Sequence, residues 1–438
     1  MGCRLVIPES ESRTSWTPIL LGDEAQRAHQ IAREIADQID GYDIHQRHEA
    51  FEPLLDVYLA RVFDSDRHAE RALSALDRRF RESGQLRAPG LYGGLAGLGW
   101  IAAHTMSMLA EWIEPDDTDP CDAIDEILDT TIAGDAPVGY DLISGLVGIA
   151  IYGVERMPRD RPRQLLEHVI DRLAARAEIF GSGVTWHTPP EQLPSRQRED
   201  APQGFYNLGV AHGTPGIAVT LGHAARLGIR AEVSRSLLDG VHDWLLEQPV
   251  ATADGAGFKY WLAKGPAKAS DVANEAWCYG GLGLSVALLR AARLVNDTVR
   301  EDHALTFARL EASRGAEQSG VRDMCLCHGG AGNGHLYNRL YQATGERVFL
   351  DASRRWLLRS MEARRSVDGG PGGYLFQGVK DRSNPPGPGD LVPNVTFLNG
   401  SLGVGLALLA ASSHQEPMWD RLLLADLAPL HSRSSTDC

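Results

Sequence analysis

An all-α protein built from repeated helix pairs is predicted by three features of the sequence. Six segments share a Gly-x-x-Gly core that runs into apolar residues: GLAGLGW from Gly94, GLVGIAIY from Gly145, GTPGIAVTL from Gly213, GGLGLSVALL from Gly280, GGAGNGHLY from Gly329 and GSLGVGLALLA from Gly400. The stretches between them carry apolar residues at helical spacing on one side only. No convincing run of alternating apolar and polar residues marks a strand. Self-similarity at intervals of 49–71 residues suggests a repeat architecture made from one supersecondary unit. It overrides the prior of about three domains that 438 residues suggest.

The elements follow in order. Residues 26–39 place Ala28, Ile31, Ile35 and Ile39 on one stripe. Residues 162–180 do the same with Leu165, Leu166, Val169, Ile170 and Leu173, and Pro162 suits a first helical turn. Residues 234–246 repeat the pattern with Leu237, Leu238, Val241 and Trp244. These read as outer, amphipathic helices. After each glycine pair, as in 216–227 and 283–294, the residues are apolar nearly all round, which marks a buried inner helix. The glycines sit at the start of each inner helix, where they permit a tight turn and close backbone approach. The residues just ahead of them therefore gather at one end of the array. Periodicity leaves open whether the pairs stack as an open solenoid or close into an α/α ring. Long Gly/Pro-rich connections at 181–207, 251–274 and 368–396 precede alternate motifs, and loops of that length are usually functional or mobile. Residues 381–390 (DRSNPPGPGD) read as a flexible turn or lid, or as a tolerated surface insertion.

Composition narrows the function classes. With 43 basic and 58 acidic residues the formal charge is −15, against the net basic face of a nucleic-acid binder. A hydrophobic share of 43% with 23% charged residues is that of a globular protein. Six cysteines are too few for a disulfide scaffold. No stretch approaches the roughly 18–20 apolar residues of a membrane span. The start, MGCRLVIPES, lacks a secretory apolar core, and Val6 breaks the myristoylation pattern. A cytoplasmic protein with reduced thiols and no stable membrane insertion is expected. Lysine occurs only at Lys259, Lys264, Lys268 and Lys380, an arginine bias that fits a bacterial source.

Aligned on their first glycines, the motifs expose a narrow window. The two preceding residues are Ile143-Ser144, Ala211-His212, Cys278-Tyr279, Cys327-His328 and Leu398-Asn399. Two cysteines and two histidines from three consecutive repeats fall there. Cys278, Cys327 and His328 form a suitable Zn²⁺ set, because catalytic zinc takes three thiolate or imidazole ligands and keeps a fourth position open. The alternative is that both cysteines are small buried hydrophobes. Cys325 lies close by, but repeat position favours Cys327. Cys3, Cys121 and Cys438 fall outside the window.

The segments Trp277-Cys278-Tyr279-Gly280 and Cys327-His328-Gly329, with the Gly-x-x-Gly repeats, resemble the lanthionine synthetase C-like family. So do residues 207–213 (NLGVAHG), Tyr140-Asp141 ahead of Gly145, Phe397-Leu398-Asn399-Gly400 and Trp419-Asp420. The resemblance runs from about residue 20 to residue 425. It implies an α/α toroid with a central zinc, a single domain over residues 21–425, an N-terminal extension at 1–20 and a tail at 426–438. It implies an enzyme that adds peptide cysteine thiols to dehydroalanine or dehydrobutyrine, closing lanthionine or methyllanthionine rings in a precursor peptide. By similarity the zinc ligands are Cys278, Cys327 and His328, and Asp141, His212 and Tyr279 match active-site positions. His212 then suits the general acid, since imidazole titrates near the working pH. Asp141 would orient it, or else cap the following helix. Tyr279 would donate a hydrogen bond to the enolate oxygen, or else serve packing.

The chain has no spare length for a fused dehydratase, so the expected partners are the precursor peptide, a separate dehydratase and an exporter, with no nucleic acid. Lys259, Lys264 and Lys268 in one long loop either contact an acidic leader peptide or are solvated. The family often has an arginine shortly before the Trp-Cys-Tyr-Gly motif, where this chain has Asn274. Asparagine supplies neither fixed charge nor a bidentate fork. That departure keeps a second function open: a non-catalytic zinc- and thiol-binding scaffold for glutathione or a peptide.

Overall fold

A computed structural model describes residues 16–39, 41–42, 51–114, 118–253, 255–365, 369–378 and 391–430. Cys3, Cys438, Lys380 and the 381–390 segment lie outside the described residues. In chain order the helices are α1 (Asp23–Ile39), α2 (Leu54–Phe63), α3 (Asp66–Glu82), α4 (Leu95–Met108), α5 (Asp122–Ala133), α6 (Leu146–Glu155), α7 (Asp160–Ala175), α8 (Ser195–Asp200), α9 (Thr214–Arg226), α10 (Ala231–Leu246), α11 (Gly281–Leu294), α12 (Thr298–Ser313), α13 (Gly330–Thr344), α14 (Arg347–Glu362) and α15 (Ser401–Ser412).

The predicted inner helices are α4, α6, α9, α11, α13 and α15. Each packs on the next, and α2 closes the circle by touching both α15 and α4. The ring thus has seven inner helices among the described residues, one more than the glycine motifs announce. Every residue of α15 is buried, as its all-round apolar sequence requires. The outer helices α3, α5, α7, α10, α12 and α14 back the inner helix just before them in sequence. The seventh pair is different: α15 is backed by α1, from the other end of the chain. Helix α1 buries Ala28, Ile31, Ala32, Ile35, Ala36 and Ile39, a continuous i, i+3, i+4 stripe. The array is therefore a closed α/α toroid, tied shut between its two ends. Trp16, fully buried, donates its Nε1–H to Ala410 O at 2.8 Å.

The second glycine of each motif has one structural cause. An added Cβ at Gly97, Gly148, Gly216, Gly283, Gly332 or Gly403 would stand 1.9–2.7 Å from the carbonyl oxygen six residues earlier. The turn ahead of each inner helix curls back onto that helix's first turn, and only hydrogen fits between. These turns also bond to one another around the ring: Tyr92 N to Ile143 O, Leu142 N to Ala211 O, Cys278 N to Cys327 O and Cys327 N to Leu398 O. The pre-glycine residues are thereby fixed in one circle at one end of the toroid.

After α15 the chain enters the middle of the ring. The Met418–Leu423 turn bonds to residues on opposite sides of it: Tyr58 on α2, Tyr92 ahead of α4, Trp277 ahead of α11, and His335 and Arg339 on α13. Its Trp419 and Asp420 are fully buried.

Two sequence expectations are corrected. The 162–180 helix ends at Ala175, and Glu178–Phe180 is a strand, β1, paired with β2 (Gly183–Thr185). The cause is Gly181, whose φ of 64° opens a two-residue Gly-Ser hairpin turn. Strands also occur, each two or three residues long and too short to show alternation. The long connections supply β3 (His187–Thr188), β4 (Phe205–Asn207), β5 (Val250–Thr252), β6 (Gly255–Gly257) and β7 (Trp261–Ala263), with β3, β4 and β7 forming one antiparallel sheet. Leu193, Ala201 and Phe205, with Trp261 against them, give this sheet and α8 a small core of their own. The lysines staple it to its surroundings: Lys264 pairs with Glu178 at 2.9 Å and Lys268 with Asp200 at 2.6 Å.

One buried acid makes stability pH-dependent. Glu311 of α12 lies against Gly281, where a Cβ would meet its Oε1 at 2.0 Å. Burial pushes its carboxyl up to about 7, with Arg314 opposing and Glu275 adding. A folded pKa above the unfolded value gives stability that is full below about pH 4.5 and lost as pH rises through 7. Relative to Glu311→Gln, the wild type is expected to lose roughly 3 kcal/mol between about pH 4 and pH 9. Urea unfolding of both proteins at the two pH values measures it, and a constant difference would refute it.

Candidate active site and metal centre

The circle of pre-glycine turns brings the predicted residues together. The Sγ atoms of Cys278 and Cys327 and a ring nitrogen of His328 lie within 4.8 Å of one another. Cys278 sits ahead of α11, and Cys327 and His328 sit ahead of α13. The bond from Cys278 N to Cys327 O, 3.2 Å, locks the two turns in register. The hydrogen bond from Cys327 holds the Cys278 thiol well below its usual range, and the same contact pushes Cys327 well above it. Hydrogen bonds to Cys278 and Cys325 raise His328 to about 11. Two sulfurs and an imidazole competing for protons at this distance are the donors a borderline-soft dication replaces protons on. The donor set fits zinc.

A second set shares His328. Asp323, Cys325 and His328 also offer ligand atoms within 4.8 Å. Cys325 is fully buried, and burial pushes its thiol up to about 11, which favours a neutral thiol packed behind the site. The Asp323 carboxylate accepts from Cys325 N at 3.0 Å and Gln377 N at 3.0 Å and stands 4.0 Å from His328 Nε2.

Asp141 does not cap the helix that follows, whose first turn takes no side-chain cap; it holds the turn ahead of it and lies beside His212. Its Oδ1 accepts from Ile143 N at 2.7 Å and Ser144 N at 2.9 Å. The same oxygen stands 3.7 Å from His212 Nδ1. Burial works to raise this carboxyl, but the His212 ring and the two amides outweigh it and hold it below the usual carboxylate range. The His212 side chain is half exposed and close enough to Cys278 for its charge to favour the thiolate. The Tyr279 hydroxyl accepts from Asn207 Nδ2 at 3.0 Å. Asp141, His212, Tyr279 and Asn207 line one cavity of about 510 Å³, with Phe205 and Leu193 among its apolar walls.

The roof of that cavity was the part sequence reasoning missed. Thr188 and Phe205 reach it from the β3–β4–β7 sheet, Gln197 from α8, and Leu193 and Pro194 from the turn ahead of α8. The only sequence signal was the length of the connections that build them. Among the described residues lining the cavity there is no lysine or arginine. Asn274 is exposed and packs against Gly320, whose added Cβ would meet its Cγ at 2.4 Å.

A ring of helix pairs with cysteine and histidine gathered at one end defines a class, and comparison with known families agrees. The model of the lanthionine synthetase C-like proteins matches residues 54–424, and the chain belongs to that family. It is similar to the nisin biosynthesis protein NisC of Lactococcus lactis subsp. lactis, 25% identical over 204 residues, which span 45% of this chain and about half, 48%, of that protein. The solved structure of nisin cyclase superposes with a TM-score of 0.66 at 18% identity, covering 86% of this chain and 90% of the other. That likeness establishes the α/α toroid. No helix among the described residues is long and apolar enough to cross a membrane.

Proposed function

We propose that the protein is a zinc-dependent lanthipeptide cyclase, adding cysteine thiols of a precursor peptide to dehydroalanine or dehydrobutyrine to form thioether rings. The observation that carries this is the convergence of the Cys278–Cys327–His328 set with the Asp141–His212 pair at one end of the toroid. Cys278, Cys327 and His328 would hold the metal. Zinc, when bound, supplies a coordinated substrate sulfur that stays a thiolate near neutral pH. The C–S bond forms at the alkene β-carbon as the C=C π pair moves to Cα and the carbonyl oxygen. Charged His212 delivers the proton to Cα, and the thiol proton replaces it on the ring, so no atom is lost overall. Asp141 keeps that imidazole oriented and stabilises its charged form. The apolar wall at Phe205 and Leu193 suits the side of a dehydrated peptide. The precursor peptide and a dehydratase that supplies the alkene are the implied partners, in a cytoplasmic setting.

The test is a dehydrated peptide carrying one cysteine, with loss of free thiol read by alkylation because cyclisation leaves mass unchanged. His212→Ala is expected to keep its zinc and slow ring closure by about 10²–10⁴-fold. Wild-type cyclisation by that variant would remove His212 as the acid.

The absence of lysine and arginine among the described cavity-lining residues favours a second reading, a zinc- and thiol-binding scaffold. That reading predicts tight binding of glutathione or a peptide thiol with no conversion of the dehydrated peptide.

A further inference from the structure

We infer that Asn207 is a positioning residue that commits the Tyr279 hydroxyl proton to the substrate, making Tyr279 a one-way donor toward the enolate oxygen. This rests on the cyclase reading above.

The argument is one of hydrogen-bond direction. The Gly209 backbone N–H can only donate, and it donates to Asn207 Oδ1 at 2.8 Å. That contact fixes which end of the amide is oxygen. The other end, Nδ2, therefore faces the Tyr279 hydroxyl at 3.0 Å. An amide NH₂ has no lone pair to offer, so the phenol oxygen must accept. Its own proton is left for a different partner. Among the described residues no other hydrogen bond of the Tyr279 hydroxyl is found, and both Tyr279 and Asn207 line the cavity. The free O–H thus belongs to whatever oxygen enters there.

The surroundings allow little else. Asn207 is 4% exposed and lies in β4, opposite Trp261 of β7. The Tyr279 ring is held edge-on by Tyr260, with centroids 5.1 Å apart. Gly209 presses on its other side: a Cβ there would meet Tyr279 Cδ1 and Cε1 at 2.6 Å. A preorganised donor aimed where charge develops acts most strongly in such a site. It gains weight here because no lysine or arginine is among the described residues lining the cavity. Asn207 and Gly209 of the NLGVAHG segment thus serve the residue beside Cys278, one repeat away.

Asn207→Asp tests this with almost no change of shape. When ionised, the new carboxylate still accepts from Gly209 N–H but can only accept from Tyr279 as well, turning its proton away from the substrate. The variant is expected to keep zinc and to cyclise about 10²-fold more slowly than wild type at about pH 8. The defect should shrink as pH falls and the carboxyl regains a proton to donate. The defect should also vanish in a Tyr279→Phe background. An equal loss in both backgrounds would overturn the inference. The infrared C–O stretch of labelled tyrosine separates this from failure of the cyclase reading. Asn207→Asp should shift one band that Tyr279→Phe removes, whether or not the protein cyclises anything. An unmoved band overturns the hydrogen-bond direction itself. A shifted band with normal cyclisation by Tyr279→Phe overturns Tyr279's part in the reaction. Should Asn207→Asp not fold, Asn207→Ala carries the same double-mutant and infrared comparison.

Discussion

Cys278→Ala is expected to lose bound zinc and, with it, all measurable cyclisation, while remaining folded. Cys278 is half-buried on a turn already fixed by its own backbone bond to Cys327 O, so the substitution removes a sulfur and little packing. What remains is one thiol and one imidazole. Loss of an outer partner of a metal ligand typically costs 10–100-fold in affinity, and loss of the ligand itself should exceed about 10²-fold. The two overlapping sets make the result diagnostic. If Cys278, Cys327 and His328 hold the metal, Cys325→Ala should retain about one zinc per chain, because a buried thiol raised to about 11 is a poor thiolate. If Asp323, Cys325 and His328 hold it, the two variants exchange outcomes. Metal analysis of both purified proteins decides between the sets before any peptide is added. Thiol-loss assays then show whether activity follows the metal.

How much of this could be seen in the sequence depends on where the information sits. The inner helices were visible because each begins with a steric requirement: the second glycine must clear a carbonyl six residues back, and no other residue does so. Helix α2 has the same place in the ring but no such glycine, so the seventh inner helix went unseen. Pairing of α1 with α15 joins residues nearly 400 apart and leaves no periodic trace. The candidate metal set was legible because the repeat puts Cys278 and Cys327 at equivalent positions, and the fold turns equivalence into proximity. The repeat also ranked Cys327 over Cys325, and the full burial of Cys325 now gives that ranking a physical basis. Asp141 posed a choice between cap and partner of His212. The structure removes the helix cap, since α6 takes no side-chain cap, and leaves one carboxylate oxygen on the amides of the preceding turn and 3.7 Å from the imidazole. The roof stayed hidden because β3, β4 and β7 are two or three residues long and make sense only when paired.

Asp420→Ala is expected to destabilise the protein by about 3–5 kcal/mol, the range for breaking one partner out of a buried ion network. Arg339 is fully buried and all five of its donors are used: Nε and Nη2 on Asp420 at 2.5 and 3.0 Å, Nη1 on Glu416 at 2.7 Å and Leu427 O at 3.1 Å, and Nη2 again on Pro417 O at 3.2 Å. His335 adds a bond to Asp420 at 2.8 Å, and the Trp16 ring lies 4.8 Å from the guanidinium. Without the carboxylate, Arg339 keeps its charge in a place water does not reach, and His335 loses its partner. The segment it anchors fills the middle of the ring. Leu423 O there accepts from Trp277 Nε1 at 2.8 Å, and Trp277 adjoins Cys278. Weakening the central segment should therefore reach the metal turn and lower zinc retention as well as stability. Replacing Arg339, His335 and Asp420 together with apolar residues of similar volume should recover most of the stability, since the cost lies in the orphaned charge and not in the lost pair. Denaturant unfolding measures both variants. A wild-type midpoint for Asp420→Ala would mean that the central segment is held by its tryptophan and leucine packing, and the ion network would then be a passenger in the ring.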